Sequence, residues 1–193
     1  MLFIRNYRIK LKTSPLLRNM KLKILLTRKL HGFAIKKLKR RYDVEINHGK
    51  IPMPKKELMS KIRDKDGLVC FPYDIVNREV IDAAKNLKAI STFSVGYDQI
   101  DVKYATKKGI VVSYTPEILT RATADLTMAL VLALLRRVVE GDRAIRSNKW
   151  KVIFGAYDFY GTDMHGKTLG IFGMGRIGKA VAKRAKGFEM NVV

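Results

Sequence analysis

The sequence predicts an α/β chain built on a parallel sheet, in two units joined by a long helix. Three observations carry that reading. Short apolar runs and helical apolar stripes alternate from Lys21 to Pro116. The stretch from Glu117 to Glu140 contains neither Gly nor Pro. A further apolar run, Thr168–Phe172, then leads directly into Gly173-Met-Gly175-Arg-Ile-Gly178. Alternation of this kind places helices on the faces of a parallel sheet.

The elements follow in order. Leu22–Thr27 is short and apolar and reads as a strand. Phe33, Ile35 and Leu38 give a helical face that reaches Arg41, and Val44–Ile46 reads as a second strand. Pro54 suits a first helical position, with Leu58, Met59 and Ile62 behind it at helical spacing. Gly67–Phe71 reads as a buried strand, and Val76, Val80, Ile81 and Ala84 stripe the next helix. Leu87–Phe93 and Ile110–Tyr114 complete five strands, and between them Asp101 can N-cap a short helix that Gly109 ends. Five strands alternating with helices suit a flavodoxin-like sheet, whose ligands bind beyond the carboxyl ends of the strands.

Pro116 closes the first unit. Beyond it Leu119, Leu126, Ala129, Leu130, Ala133, Leu134 and Val138 recur mostly at three and four, so one helix is expected from Glu117 to Arg146, through Gly141. At ~1.5 Å per residue it would exceed roughly 35 Å, a length that suits a connector or an interface. Trp150 and the stretch Gly155–Gly166 read as the loop into the second unit.

The 193 residues contain 47% hydrophobic residues, enough for a core. No apolar run approaches the ~18 residues of a membrane span. The single Cys70 excludes an internal disulfide and reads as a buried strand residue, compatible with a reducing, cytoplasmic setting. The net charge of +22 is uneven: residues 1–42 hold 14 of the 39 Lys and Arg and no Asp or Glu. Such a bias supports nonspecific affinity for polyanions at low salt rather than specific nucleic-acid recognition. Residues 1–19 fit a secretory signal poorly, because charges interrupt any apolar core. Met20 is the expected original start, since a strand begins at once behind it, and residues 1–20 are expected to be a disordered basic extension.

The strongest chemical signal is the glycine turn. Between a strand and the helix Lys179–Ala185, G-x-G-x-x-G reads as the dinucleotide cradle of a Rossmann unit. Gly173 permits the tight turn, Gly175 lets a diphosphate approach the backbone, and Gly178 lets helix and strand pack closely. Helix-start N–H groups hold the anion, and Arg176 can add charge. Only fifteen residues follow Gly178, so the ribose-reading residue expected ~20 residues on lies past Val193. A second signal, Ser94-Val-Gly-Tyr-Asp98, sits directly after a strand. Gly96 removes a side chain there, so neighbouring N–H groups can face an anion such as a carboxylate.

Ser94-Val-Gly-Tyr-Asp-Gln-Ile-Asp101, Thr115-Pro-Glu-Ile-Leu-Thr120, Ala124-Asp-Leu126, Arg136-Arg137, Trp150 and Gly173–Gly178 occur in the order and spacing of D-isomer-specific 2-hydroxyacid dehydrogenases. Over about Lys21–Val193 the chain most resembles the glyoxylate/hydroxypyruvate/2-ketogluconate reductase branch. The resemblance implies a substrate (catalytic) domain over 21–116 and a connecting or dimerisation helix over 117–150. Residues 151–193 would then be the start of a truncated NAD(P)-binding Rossmann domain. It implies that amides of Val95 and Gly96 hold a substrate carboxylate, that Arg176, Ile177 and Gly178 meet the diphosphate of NAD or NADP, and that the full-length form is a homodimer.

The implied activity is hydride transfer between a nicotinamide and a small 2-keto or 2-hydroxy acid such as glyoxylate or hydroxypyruvate. The family's catalytic arginine, carboxylate and histidine all follow the glycine turn, so no catalytic residue is assigned and this chain alone is expected to be inactive. His31 at a helix start, His48 in a polar turn and His165 in a loop read as solvent-facing. Two other readings stay open: a non-catalytic nucleotide-sensing regulator of the same fold, and a basic protein that associates with nucleic acid. Residues beyond about 151 are expected to be mobile or prone to aggregate, because their strand edges lack neighbours.

Overall fold

Five short segments each become a strand of a parallel ladder, which buries the inner strands most and leaves the two edge strands partly exposed. In the computed structural model, which describes residues 21–149 and 159–193, these are β1 (Lys23–Leu26), β2 (Asp43–Ile46), β3 (Gly67–Cys70), β4 (Ala89–Thr92) and β5 (Val111–Ser113). Helices α1 (Gly32–Lys39), α2 (Lys55–Lys61), α3 (Arg78–Ala83) and α4 (Val102–Lys107) alternate with them. All neighbours pair in parallel in the order β2-β1-β3-β4-β5, the flavodoxin-like order. The register aligns Leu25 with Leu68, Leu68 with Ile90 and Ile90 with Val112. The extension 1–20, Trp150 and the first part of the 155–166 loop lie outside the described residues.

The core of this unit joins Leu25, Leu68, Cys70 and Ile90 from the strands to Leu58, Ile62, Val80, Ile81 and Ala105 from the helices and their ends. The starts of α3 and α4 are fixed by side chains: Asn77 Oδ1 accepts from the Val80 N–H at 3.3 Å, and Asp101 Oδ1 accepts from the Tyr104 N–H at 3.0 Å. Gly109, at φ +75°, supplies the left-handed turn behind α4. Val76 is not helical. It bridges to Ile100 outside the helix, which begins only at Arg78 because Asn77 caps it.

At the carboxyl ends of β1, β2 and β3 the polar groups are buried and paired. Thr27 Oγ1 donates to Asp74, whose Oδ2 also accepts from the Phe71 N–H at 2.8 Å. The Asn47 amide donates to the carbonyls of Thr27 and Lys50, each at 3.0 Å. Leaving such groups unpaired in the interior would cost ~1–3 kcal/mol apiece.

The division between two compact units falls between Pro116 and Glu117. In the second, the single helix expected over Glu117–Arg146 is instead two: α5 (Thr120–Leu135) and α6 (Val138–Arg146). The cause is a distant loop. The Thr162 N–H takes the Leu135 carbonyl at 2.8 Å, removing an acceptor that a continuing helix needs. Gly161 sits so close that a Cβ there would meet Leu135 O at 2.4 Å. Arg137 responds with a left-handed backbone, φ 52° and ψ 34°.

α7 (Arg176–Gly187) lies against α5, with Ala124 and Met128 of α5 packed with Val181 and Ala185 of α7, and with Met164 and Met190. Arg184 ties the two helices together, donating to Asp125 at 2.6 Å and to the Arg121 carbonyl at 3.3 Å. The strand expected over Thr168–Phe172 is shorter. β6 (Thr168–Leu169) pairs in parallel with β7 (Asn191–Val192), a ladder as long as its partner allows. Ile171 adds one further bond to Val193 O at 2.8 Å, and Phe172 beyond it is fully exposed.

Candidate functional site

The glycine turn connects β6 to α7, and α7 starts earlier than its sequence pattern suggests. Gly175 is the N-cap and Arg176 the first helical residue, so Ile177 and Gly178 lie within the first turn. A first turn has no intrahelical acceptor for its N–H groups. Those of Gly175, Arg176, Ile177 and Gly178 accordingly have no acceptor among the described residues, and neither do those of Gly173 and Met174 in the turn before them.

The three glycines differ in what they permit. Gly173 has φ +104°, a conformation that side chains rarely adopt, and nothing lies within 4 Å of a Cβ built there. Around Gly175 the space is equally open. At Gly178 a Cβ would meet Gly173 O at 2.2 Å and Gly173 C at 3.2 Å. The turn is thus open at Gly173 and Gly175 and closed against its own backbone at Gly178. Unpaired amides at a helix start then supply donors and a positive dipole end, a donor set that fits a diphosphate. Arg176 stands beside Glu117, Nε to Oε1 at 3.4 Å, with both side chains exposed.

In the first unit Ser94–Asp98 follows β4 at its carboxyl end. The amides of Val95, Gly96 and Tyr97 have no acceptor among the described residues, and all three residues are exposed. The carbonyls of the same turn are held. Thr115 donates twice to Ser94 O, from its N–H and from Oγ1, each at 2.9 Å. Ser94 Oγ donates to Gly96 O at 2.6 Å. With that proton committed, the 2.5 Å contact between Thr92 Oγ1 and Ser94 Oγ is donated by Thr92, which in turn accepts from Gln99 Nε2 at 3.0 Å. Thr92 is fully buried, so the network is anchored in the sheet.

Val95 and Gly96 are therefore together in one turn, and Gly173, Gly175, Arg176, Ile177 and Gly178 together in another. Sequence reasoning missed Thr92, and it quoted Tyr97, Gln99 and Thr115 only as parts of motifs, without the roles the structure gives them. It also missed an aromatic and basic group around the same strand ends. The Phe71 and Phe93 rings lie 5.5 Å apart, and the Arg28 guanidinium sits 5.8 Å from the Phe71 ring centroid. Tyr114 packs on Tyr97 with ring centroids 5.1 Å apart.

His31, His48 and His165 are exposed. Cys70 is buried beneath the sheet surface, and burial pushes its thiol up to about 12, which removes it as a nucleophile. Among the described residues no group of His, Cys, Asp or Glu could hold a metal, and no helix is long and apolar enough to cross a membrane.

Residues 24–189 match the family of the D-isomer specific 2-hydroxyacid dehydrogenase, catalytic domain. A glyoxylate reductase of Pyrococcus horikoshii is 44% identical over 177 residues, covering 90% of this chain and 53% of the relative. A solved structure from Thermus thermophilus superposes with a TM-score of 0.82 at 46% identity, over 89% of this chain and 55% of that one. The NADPH-dependent glyoxylate/hydroxypyruvate reductase of Sinorhizobium meliloti, solved with NADP and malonate, superposes at 0.72 with 29% identity, over 90% of this chain and 52% of that one. The chain thus spans about half the length of the relatives it matches. On the extent of the family match and the agreement in fold, the chain belongs to the D-isomer specific 2-hydroxyacid dehydrogenase family.

Proposed function

We propose that the chain is the N-terminal portion of an NAD(P)-dependent oxidoreductase of the glyoxylate or hydroxypyruvate reductase type. One observation carries this reading: a run of six consecutive amides without acceptors among the described residues, Gly173–Gly178, at the start of α7, with Gly178 held close against Gly173 O. Gly173, Gly175, Arg176, Ile177 and Gly178 would hold the diphosphate of NAD or NADP. Val95 and Gly96 would hold the carboxylate of a small 2-keto or 2-hydroxy acid. When bound, the nicotinamide supplies or takes up the hydride exchanged at C2 of that acid.

The chain's own contribution is binding. The glycine turn neutralises the diphosphate with backbone donors that need no rearrangement. The Ser94–Tyr97 turn offers donors of fixed direction to a carboxylate, which orients the neighbouring carbonyl. No side chain here is assigned the proton transfer, so we infer binding rather than turnover for these 193 residues. The full-length form is inferred to be a homodimer, supported by exposed leucines along α5, and a buried Cys70 without a cysteine partner fits a cytoplasmic setting.

The domain assignment follows the same reading: 21–116 for the acid, 117–150 for connection and dimerisation, and 151–193 for the opening of the cofactor domain. Titration of the ¹⁵N-labelled chain with NADH and with NADPH tests the cofactor site. Saturable shifts at Arg176, Ile177 and Gly178 are the expected result. Shifts that never saturate, or that avoid these three amides, would refute it.

A further inference from the structure

The directions of the amides in Ser94–Tyr97 follow from how the carbonyls of the turn are held. A trans peptide is planar, so its N–H points away from its C=O. Whatever holds the Ser94 carbonyl therefore aims the Val95 N–H in the opposite direction. Two donors hold it, and both belong to Thr115, 21 residues further along the chain. The same logic applies once more: Ser94 Oγ holds the Gly96 carbonyl and so aims the Tyr97 N–H. The Val95 carbonyl has no donor among the described residues, so the Gly96 amide is aimed by its neighbours alone.

Thr115 is itself well fixed. It follows β5, which pairs with β4, and Thr115 precedes Pro116, which restricts it to extended conformations. Its neighbour Tyr114 packs its ring on Tyr97, at the far end of the same turn. Two adjacent residues thus grip both ends of the turn that carries the unpaired amides.

We propose that Thr115 is a positioning residue for carboxylate binding: its paired hydrogen bonds to Ser94 O pre-aim the Val95 amide, so the donor is in place before the acid arrives. The inference rests on the reading that Val95 and Gly96 receive the substrate carboxylate. It adds that affinity depends on a side chain that does not touch the acid. Losing one of two donors leaves the Ser94 carbonyl held by the Thr115 N–H alone and loosens the peptide plane, and an ordinary net hydrogen bond is worth about fivefold to tenfold in affinity.

Sodium glyoxylate, titrated into the ¹⁵N-labelled chain, reads this directly through the Val95, Gly96 and Tyr97 amides. Thr115→Val keeps the shape and the backbone donor but removes the hydroxyl. It is expected to weaken glyoxylate binding about fivefold to tenfold and to broaden or move the Val95 amide before any ligand is added. Thr115→Ser restores both donors and is expected to bind within about twofold of the unsubstituted chain. Amides of Leu25 and Ile90, in the sheet core, report whether each variant keeps its fold.

Unchanged affinity and an unchanged Val95 amide in Thr115→Val overturn the positioning role alone. A loss in Thr115→Ser as large as that in Thr115→Val overturns it too, because the hydroxyl would then not be the cause. Absence of saturable shifts at Val95 and Gly96 in the unsubstituted chain overturns the carboxylate reading, and the inference with it.

Discussion

Gly175 and Gly178 belong to one motif, yet the structure separates their roles. A Cβ at Gly178 would meet the backbone of Gly173 at 2.2 Å, and a backbone atom can yield only if the turn itself moves. At Gly175 a Cβ meets nothing within 4 Å, so a methyl there disturbs none of the chain's own packing. Gly178→Ala is therefore expected to destabilise the second unit by about 1–3 kcal/mol, in the range of overpacked sites. Gly175→Ala is expected to stay within about 0.5 kcal/mol of the unsubstituted chain in urea unfolding and to lose NAD(P)H binding. Equal destabilisation by both substitutions would contradict the division. The same scale explains why Cys70 carries no chemistry: a fully buried thiol pushed up to about 12 is a packing residue.

The elements that could be read from sequence were those whose cause is local. β1, β3, β4 and β5 are mainly apolar runs between polar turns, β2 alternates polar and apolar residues, and α4 is written out by Asp101 at its start and Gly109 at its end. The break between α5 and α6 was illegible because nothing in Arg136-Arg137 opposes a helix; its cause is Gly161 and Thr162 in a later loop. In the candidate sites the glycines could be read, since their spacing is the motif. Thr115 could not, because its contact with Ser94 exists only once β4 and β5 lie side by side. α5 also leaves a stripe uncovered. Leu126, Leu130 and Leu134 recur at four and are all exposed, while Ala124 and Met128 are buried among the residues shared with α7. Burying a leucine contributes about 1.5–3 kcal/mol, so a second copy covering this stripe gains substantially. Sedimentation velocity should show concentration-dependent association that Leu130→Asp weakens at least about tenfold, since a buried unpaired charge is costly. A chain that stays monomeric at every concentration tested would refute the dimer face.

Charge acts on the molecule as a whole. The +22 excess repels itself, and the acidic groups that offset it lie mostly in exposed pairs. In the first unit, the hydrogen bond and charge of Lys23, then of Lys65, hold Asp64 down at about 2, and Lys65 and then Lys61 hold Glu45 low. Asp82 is lowered by Lys108 and then Tyr104, and Asp101 by the Tyr104 N–H and then Arg78. A carboxyl group lowered on folding stabilises the fold above its unfolded value and ceases to do so as pH falls through its folded value. Acidification therefore removes these pairs and, with them, the negative charges that temper the excess, so both effects act in one direction. Most of these pairs are solvent-exposed and individually small, Lys65 being the one largely buried partner among them. The repulsion extends over a Debye length of about 10 Å at 0.1 M salt and is not confined to contacts. Thermal unfolding should hold a steady midpoint from about pH 7 to about pH 5 and fall steeply below about pH 4.5. Adding salt at about pH 4 should raise the midpoint, because screening relieves many repulsions and weakens only a few exposed pairs. If salt lowers the midpoint there, the exposed pairs outweigh the excess charge and this account of the molecule's charge balance is wrong.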